Sequence, residues 1–225
     1  GSGAWTFTGG GCSNSNLGYC TNSIVGGQNN CIIGCACATF IGGGLYNSTG
    51  ATRRSFIGGG GINIISNCDN NSIVGGYLNS ITGNNCNAII GGGCLNLAEG
   101  TSGRIGQVIG GGLCNKVQAS VTSVVGGMQN TGSGYASFIG GGCGNYQCSP
   151  YGSILGGTNN ENNHNYSHII GDSIISSAQY TTHINNLTVS GSGGTSVVMM
   201  RNLPTSDPSN VGQLWNDAGT LKISI

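Results

Sequence analysis

The chain has 225 residues, 46 of them glycine, and its six basic and six acidic residues leave no formal net charge. The basic residues Arg53, Arg54, Arg104, Lys116, Arg201 and Lys222 are scattered, with only Arg53 and Arg54 adjacent, so the clustered cations that hold nucleic-acid phosphates or an anionic membrane are missing. No apolar run approaches the roughly 20 residues a membrane-crossing helix needs.

From the N-terminus to about Gly171 one pattern recurs: SIVGGQNN, TFIGGGLYN, SFIGGGGIN, SIVGGYLN and AIIGGGCLN are successive instances. The shared asparagine falls at Asn14, Asn30, Asn47, Asn63, Asn79, Asn96, Asn115, Asn130, Asn145 and Asn160, with spacings of 15 to 19 residues. Self-similarity at a short period marks a solenoid, in which each unit covers its neighbour's apolar face. About 16 residues are too few for a helical hairpin but enough for short strands and turns, so the reading is an all-β solenoid or β-roll of about ten coils. Low charge with high glycine can indicate disorder, but isoleucine and valine recurring at fixed phase indicate order by stacking.

Within a coil, the glycines are expected to supply positive φ and close backbone approach, with asparagine as the next residue most tolerant of the left-handed conformation. Asparagines at one phase are also expected to stack as a hydrogen-bonded ladder. Each repeat carries an adjacent apolar pair: Ile24-Val25, Phe40-Ile41, Phe56-Ile57, Ile73-Val74, Ile89-Ile90, and so on to Ile169-Ile170. Consecutive strand residues point to opposite faces, so one member fills the coil and the other forms an outward apolar stripe. Stripes of that size are rarely left exposed, which predicts burial against further copies, most simply an intertwined or side-by-side homotrimer. Ten coils at about 4.8 Å give a rod of about 50 Å.

The eleven cysteines cluster by repeat phase; Cys12, Cys94 and Cys143 sit two before the asparagine. Cys35-Ala36-Cys37 is the one close pair, short of paired zinc-ligand motifs, so no metal or other cofactor is expected. Free cysteine serves instead as a small hydrophobe in equivalent slots, and an oxidising medium would allow disulfides between neighbouring coils.

After the solenoid (1–171), residues 172–194 read as a neck or linker strand, with alternation over Tyr180 to Gly191. Residues 195–225 read as a β-hairpin tip. Pro204 and Asp207-Pro208 mark turns, Gln213 to Asn216 a strand, Asp217-Ala218-Gly219 a tight turn, and Thr220 to Ile225 the returning strand.

The S-x-I-G-G-G-x-x-N-x-x-x-G pattern resembles the head repeats of trimeric autotransporter adhesins, which are left-handed parallel β-rolls with a slightly shorter, less glycine-rich repeat. It resembles more closely the glycine- and asparagine-rich shafts of bacteriophage tail fibres and related virion appendages. The ending from Asn202-Leu203-Pro204-Thr205-Ser206-Asp207-Pro208 to Gly212-Gln213-Leu214-Trp215-Asn216-Asp217 is similar to the closing segment of many phage structural proteins, and is the most specific of these resemblances. It implies a trimeric virion fibre, extracellular on the particle, whose partners are its own copies, other virion proteins and a host-surface glycan or protein.

Polysaccharide cleavage, found in some fibres, needs two carboxyl groups held close together. Here Asp69, Glu99, Glu161, Asp172, Asp207 and Asp217 are dispersed, and no nucleophile or phosphate-loop motif accompanies the triglycines, so no catalytic activity is expected. His164 and His168, four apart, are read as loop residues. Candidate surface contacts are Tyr46, Tyr77, Tyr135, Tyr146, Tyr151, Tyr166 and Trp215; tyrosine offers rigid area suited to sugar faces, and Trp215 is expected mainly to anchor the tip. The alternative functions are a secreted bacterial trimeric adhesin or extracellular filament subunit, and, less favoured, a solenoid face for ice or polysaccharide, which would require a threonine ladder that the repeats lack.

Overall fold

The computed structural model describes residues 5–67, 69–188, 203–209, 211 and 213–225, without the side chains of residues 101–104. Cys68, Arg201, Asn202, Gly212 and residues 189–194 of the expected neck lie outside the described residues, as does the side chain of Arg104. The chain divides into two compact units, Gly1–Asn185 and Asn186–Ile225.

The first unit is an all-β solenoid. One strand from each coil enters a 12-stranded parallel sheet, which starts at Phe7–Thr8 and runs through Ser23–Ile24, Phe40–Ile41 and their successors to His168–Ile170 and Thr182–Ile184. A second strand from each coil enters a 10-stranded parallel sheet running from Ser15–Asn16 to Glu161–Asn162. A third row, made of single parallel bridges, links Cys12, Gln28, Leu45, Gly61, Tyr77, Cys94, Leu113, Met128, Cys143 and Thr158 in register. The first sheet runs two strands past the last ladder asparagine's own strand, so the roll has about 11 turns. Thr182–Ile184, inside the segment read as a neck, pairs in parallel with His168–Ile170.

Strand alternation sorts each apolar pair as its chemistry requires. Ile24, Ile41, Ile57, Ile73, Ile90, Ile109, Val124, Ile139, Ile154 and Ile169 form one fully buried column. Ile32, Ile65, Ile81, Ala98 and Val117 face them from the second sheet. Towards the far end, the inward positions of the second sheet become Gly132, Gln147 and Asn162, so buried amides replace aliphatic side chains.

The expected asparagine ladder is present. The backbone N–H of each repeat asparagine from Asn30 to Asn160 donates to the Oδ1 of its predecessor at 3.0–3.1 Å. Each Nδ2 donates to the carbonyl of the glycine four residues earlier and to a glycine carbonyl of the next coil, as Asn79 does to Gly75 and Gly93 at 3.0 Å. The cluster glycine three residues before each ladder asparagine has positive φ as expected, but the left-handed conformation is not adopted by the ladder asparagine itself. It is adopted by the residue preceding each ladder asparagine: Ser13, Asn29, Tyr46, Ile62, Leu78, Leu95, Cys114, Gln129, Gly144 and Asn159. A second left-handed corner holds Ala38, Arg54, Asn70, Asn87, Gly106, Val121, Ala136, Tyr151, Tyr166 and Tyr180. The N–H of a corner residue donates to the preceding coil, as in Arg54 to Cys37 O at 2.8 Å and Tyr151 to Tyr135 O at 2.9 Å. Register between coils therefore enforces a conformation that side-chain preference does not.

The second unit holds an antiparallel hairpin, Leu214–Asp217 with Thr220–Ile223. Ala218 and Gly219 both have positive φ, 49° and 96°, which suits a two-residue turn of the primed kind. Trp215 is half-buried, with the Lys222 ammonium 5.4 Å from its ring centroid, and Lys222 also pairs with Asp217.

Candidate interaction surface

From Ser23 to Leu155, the outer face of the first sheet carries one bulky apolar side chain per coil, placed in one of two ways. In some coils it precedes the buried residue and a glycine follows: Phe40/Gly42, Phe56/Gly58, Ile89/Gly91, Val108/Gly110 and Phe138/Gly140. In the others a serine precedes and the bulky residue follows: Ser23/Val25, Ser72/Val74, Ser123/Val125 and Ser153/Leu155. The reason is steric. A Cβ at Gly42, Gly58 or Gly140 would meet the ring edge of its own coil's phenylalanine at 3.2–3.3 Å and a carbonyl oxygen of the next coil at 2.2–2.4 Å. The result is a continuous stripe in which Val74 is 57% and Phe56 39% exposed, and Phe40 stacks on Phe56 at 5.5 Å. No Asp, Glu, Lys or Arg occupies these outward positions from Ser23 to Leu155.

Beside the stripe, the glycine cluster separates into two rows of different character. Three residues before each ladder asparagine, Gly11, Gly27, Gly44, Gly60, Gly76, Gly93, Gly112, Gly127, Gly142 and Gly157 have φ of 83° to 94°. A Cβ on any of them would stand 1.8–2.2 Å from a carbonyl oxygen of the next coil, so the coil itself demands glycine. Four residues before the asparagine stand Gly10, Gly26, Gly43, Gly59, Gly75, Gly92, Gly111, Gly126, Gly141 and Gly156. A Cβ there would meet nothing closer than 3.9 Å, and seven of the ten lack positive φ. At those seven, neither the described surroundings nor the backbone requires glycine.

The tyrosines expected at the surface do not form one patch. Tyr135, Tyr151 and Tyr166 come together at the second left-handed corner with Tyr180, which the sequence reading left out of the candidates. Tyr151, Tyr166 and Tyr180 stack at centroid distances of 4.9 Å, and Tyr135 meets Tyr151 edge-on at 5.6 Å. Corner positions 15 and 14 residues apart in successive coils bring the rings into this stack, a signal visible in the repeat phase. Tyr46 and Tyr77 lie apart from it, at the ladder corner and in the bridge row, Tyr146 is on the second sheet, and Trp215 is in the second unit.

The remaining polar candidates have local partners. His168 Nδ1 is 2.8 Å from Ser153 Oγ, and His164 Nδ1 is 2.9 Å from Ser176 Oγ. Asp172 accepts from the Thr158 N–H and hydroxyl, Asp69 from the Arg53 N–H, and Glu161 from Asn163 Nδ2. Glu99 pairs with Lys116 at 3.0 Å, and the lysine's hydrogen bond holds its carboxyl below the ordinary glutamate value. Among the described residues, no three His, Cys, Asp or Glu side chains gather as a metal-binding group. Compared with known proteins, the chain matches no family profile, and no curated protein aligns with it.

Proposed function

We propose that the protein is a structural fibre of a virion, a homotrimer whose copies pack side by side through the first sheet and which contributes to attachment at a host surface. The observation that carries the assembly is the second glycine row. Seven coils keep glycine where a methyl group would point into open space and the backbone makes no demand for it, and that row lies along an uncharged apolar stripe. A close backbone-to-backbone approach by another copy accounts for both, because the glycines admit the partner and the stripe gains from leaving water. The virion assignment rests on the resemblance of the Leu203–Asp217 segment to phage structural proteins. In this reading the Tyr135, Tyr151, Tyr166 and Tyr180 stack offers its ring edges and hydroxyls to a host glycan or protein, and other virion proteins hold the fibre on the particle.

The test is the native mass of the purified full chain by light scattering, alongside a triple variant, Gly75→Ala, Gly126→Ala and Gly156→Ala. The parent is expected to be trimeric and the variant to keep its far-ultraviolet circular dichroism while dissociating. A monomeric parent overturns the assembly. Attachment is tested separately, by binding of the fibre to host envelope fractions with Tyr151→Ala and Tyr166→Ala combined; unchanged binding removes the tyrosine stack from the proposal.

A further inference from the structure

Two consecutive turns of the solenoid each carry a cysteine, and hydrogen bonds clamp the turns together on both sides of the pair. The Tyr19 N–H and Asn22 Nδ2 both donate to the Ala36 carbonyl, at 3.2 and 3.0 Å, while the Thr39 N–H donates to Asn22 Oδ1 at 2.9 Å. Cys20 therefore lies between two anchor points that bracket Cys37 on the neighbouring coil. Adjacent parallel strands are about 4.8 Å apart, inside the Cα separation that a disulfide spans. Both side chains are half-buried, and the neighbouring Cys37 thiol pushes the Cys20 thiol above its ordinary value.

A second, independent observation concerns the corner itself. Cys37 immediately precedes the left-handed residue Ala38, and Cys86, three coils further along, immediately precedes the left-handed residue Asn87. Cys86 is disulfide-bonded. The place in the coil that Cys37 occupies is thus one at which this fold already accommodates a disulfide.

We propose that Cys20 and Cys37 are a site of oxidative modification, forming an inter-coil disulfide on reaction with a small-molecule disulfide such as oxidised glutathione. One cysteine thiolate attacks a glutathione sulfur, the glutathione S–S bond breaks, and the departing thiolate takes up a proton. The second protein sulfur then attacks the mixed disulfide and releases the other glutathione as a thiol. Two protein thiols are oxidised and one glutathione disulfide is reduced to two thiols, so atoms and electrons balance. The bond would tie together the first two described coils of the roll.

The experiment incubates the native full chain with oxidised glutathione, blocks remaining thiols with N-ethylmaleimide, and digests without reductant at the aliphatic residues between the cysteines. Mass spectrometry is expected to find Cys20 joined to Cys37 and neither alkylated, with the Cys86 disulfide as the internal marker of an intact fold. In Cys20→Ser, Cys37 is expected to persist as a glutathione mixed disulfide. Recovery of Cys20 and Cys37 as alkylated thiols, as lasting mixed disulfides in the parent, or joined to Cys31 or Cys35 would overturn the assignment.

Discussion

Replacing Asn79 by alanine tests whether the asparagine ladder stabilises the solenoid or merely decorates it. Asn79 Oδ1 accepts from the Asn96 N–H at 3.1 Å and from Asn96 Nδ2 at 3.0 Å, and its own Nδ2 donates to Asn63 Oδ1, Gly75 O and Gly93 O at 3.0–3.2 Å. Several partners survive truncation: Asn63 Oδ1 keeps the Asn79 N–H, Gly93 O keeps the Tyr77 N–H at 2.9 Å, and Asn96 Nδ2 keeps two carbonyls. The Asn96 N–H loses the acceptor it has here, and the Gly75 carbonyl loses its side-chain donor. An orphaned buried polar group costs about 1–3 kcal/mol, so with the void left by the amide the expected loss is about 3–5 kcal/mol. Asn79→Asp keeps the acceptor but turns a carboxylate towards Asn63 Oδ1 and two carbonyls. Those neighbours raise its folded pKa above the unfolded value, so its penalty is absent below the unfolded aspartate pKa and grows as pH rises through the folded one. Urea titration followed by circular dichroism at several pH values checks both variants. An alanine variant within about 0.5 kcal/mol of the parent, below the smallest of these terms, would refute the reasoning.

Gly93→Ala places a Cβ 2.1 Å from the Gly112 carbonyl oxygen at a φ of 83°, so it is expected to abolish stacking at that coil, whereas Gly75→Ala leaves the fold intact; limited proteolysis compares the two. Ile90→Ala, in the fully buried column, is expected to cost about 2–5 kcal/mol in the same denaturant assay. The Glu99–Lys116 pair is a weak acid-sensitive element. Because the glutamate's folded pKa is depressed, its contribution is present above the unfolded value and disappears as pH falls through the folded one. With both side chains more than a third exposed, Lys116→Met is expected to cost under about 1 kcal/mol, and acid titration should show less pH dependence in that variant.

The solenoid, its period and its inward column were legible because they depend on two strong signals, the repeat phase and strand alternation. The ladder was legible for the same reason, since identical amides at one phase have one obvious way to satisfy each other. The left-handed corners were not. Ile62 is β-branched and Leu78 bulky, yet both have positive φ because each N–H is taken by a carbonyl of the preceding coil, Leu45 for Ile62 and Gly61 for Leu78. Such a constraint comes from stacking and leaves little trace in residue type. The two glycine rows look alike in sequence for a related reason: Gly75 and Gly76 are adjacent letters, and only the position of the next coil shows that one is required and the other is not. In the candidate surface, the tyrosine phase was readable, but Tyr180 falls beyond the last ladder asparagine and so outside the counted repeats.

The two ways of placing the outward apolar group supply a sharper test of the assembly than removing it alone would. Each coil offers one bulky group, carried either before a glycine, as in Phe56/Gly58, or after a serine, as in Ser72/Val74, and these two coils are direct neighbours in the sheet. Inside one solenoid, sterics explain only why a glycine follows a phenylalanine; nothing in the isolated coil requires one bulky outward group rather than none. A facing copy would impose that requirement, because a coil without such a group leaves a gap. Val74→Gly is therefore expected to leave the monomer folded but lower the native mass. Adding Ser72→Phe converts the coil to the Phe56/Gly58 pattern and is expected to restore assembly. Light scattering on the parent, the single and the double variant decides the matter: if the single variant assembles normally, or the double is no better than the single, the outward alternation belongs to the isolated solenoid and not to an interface.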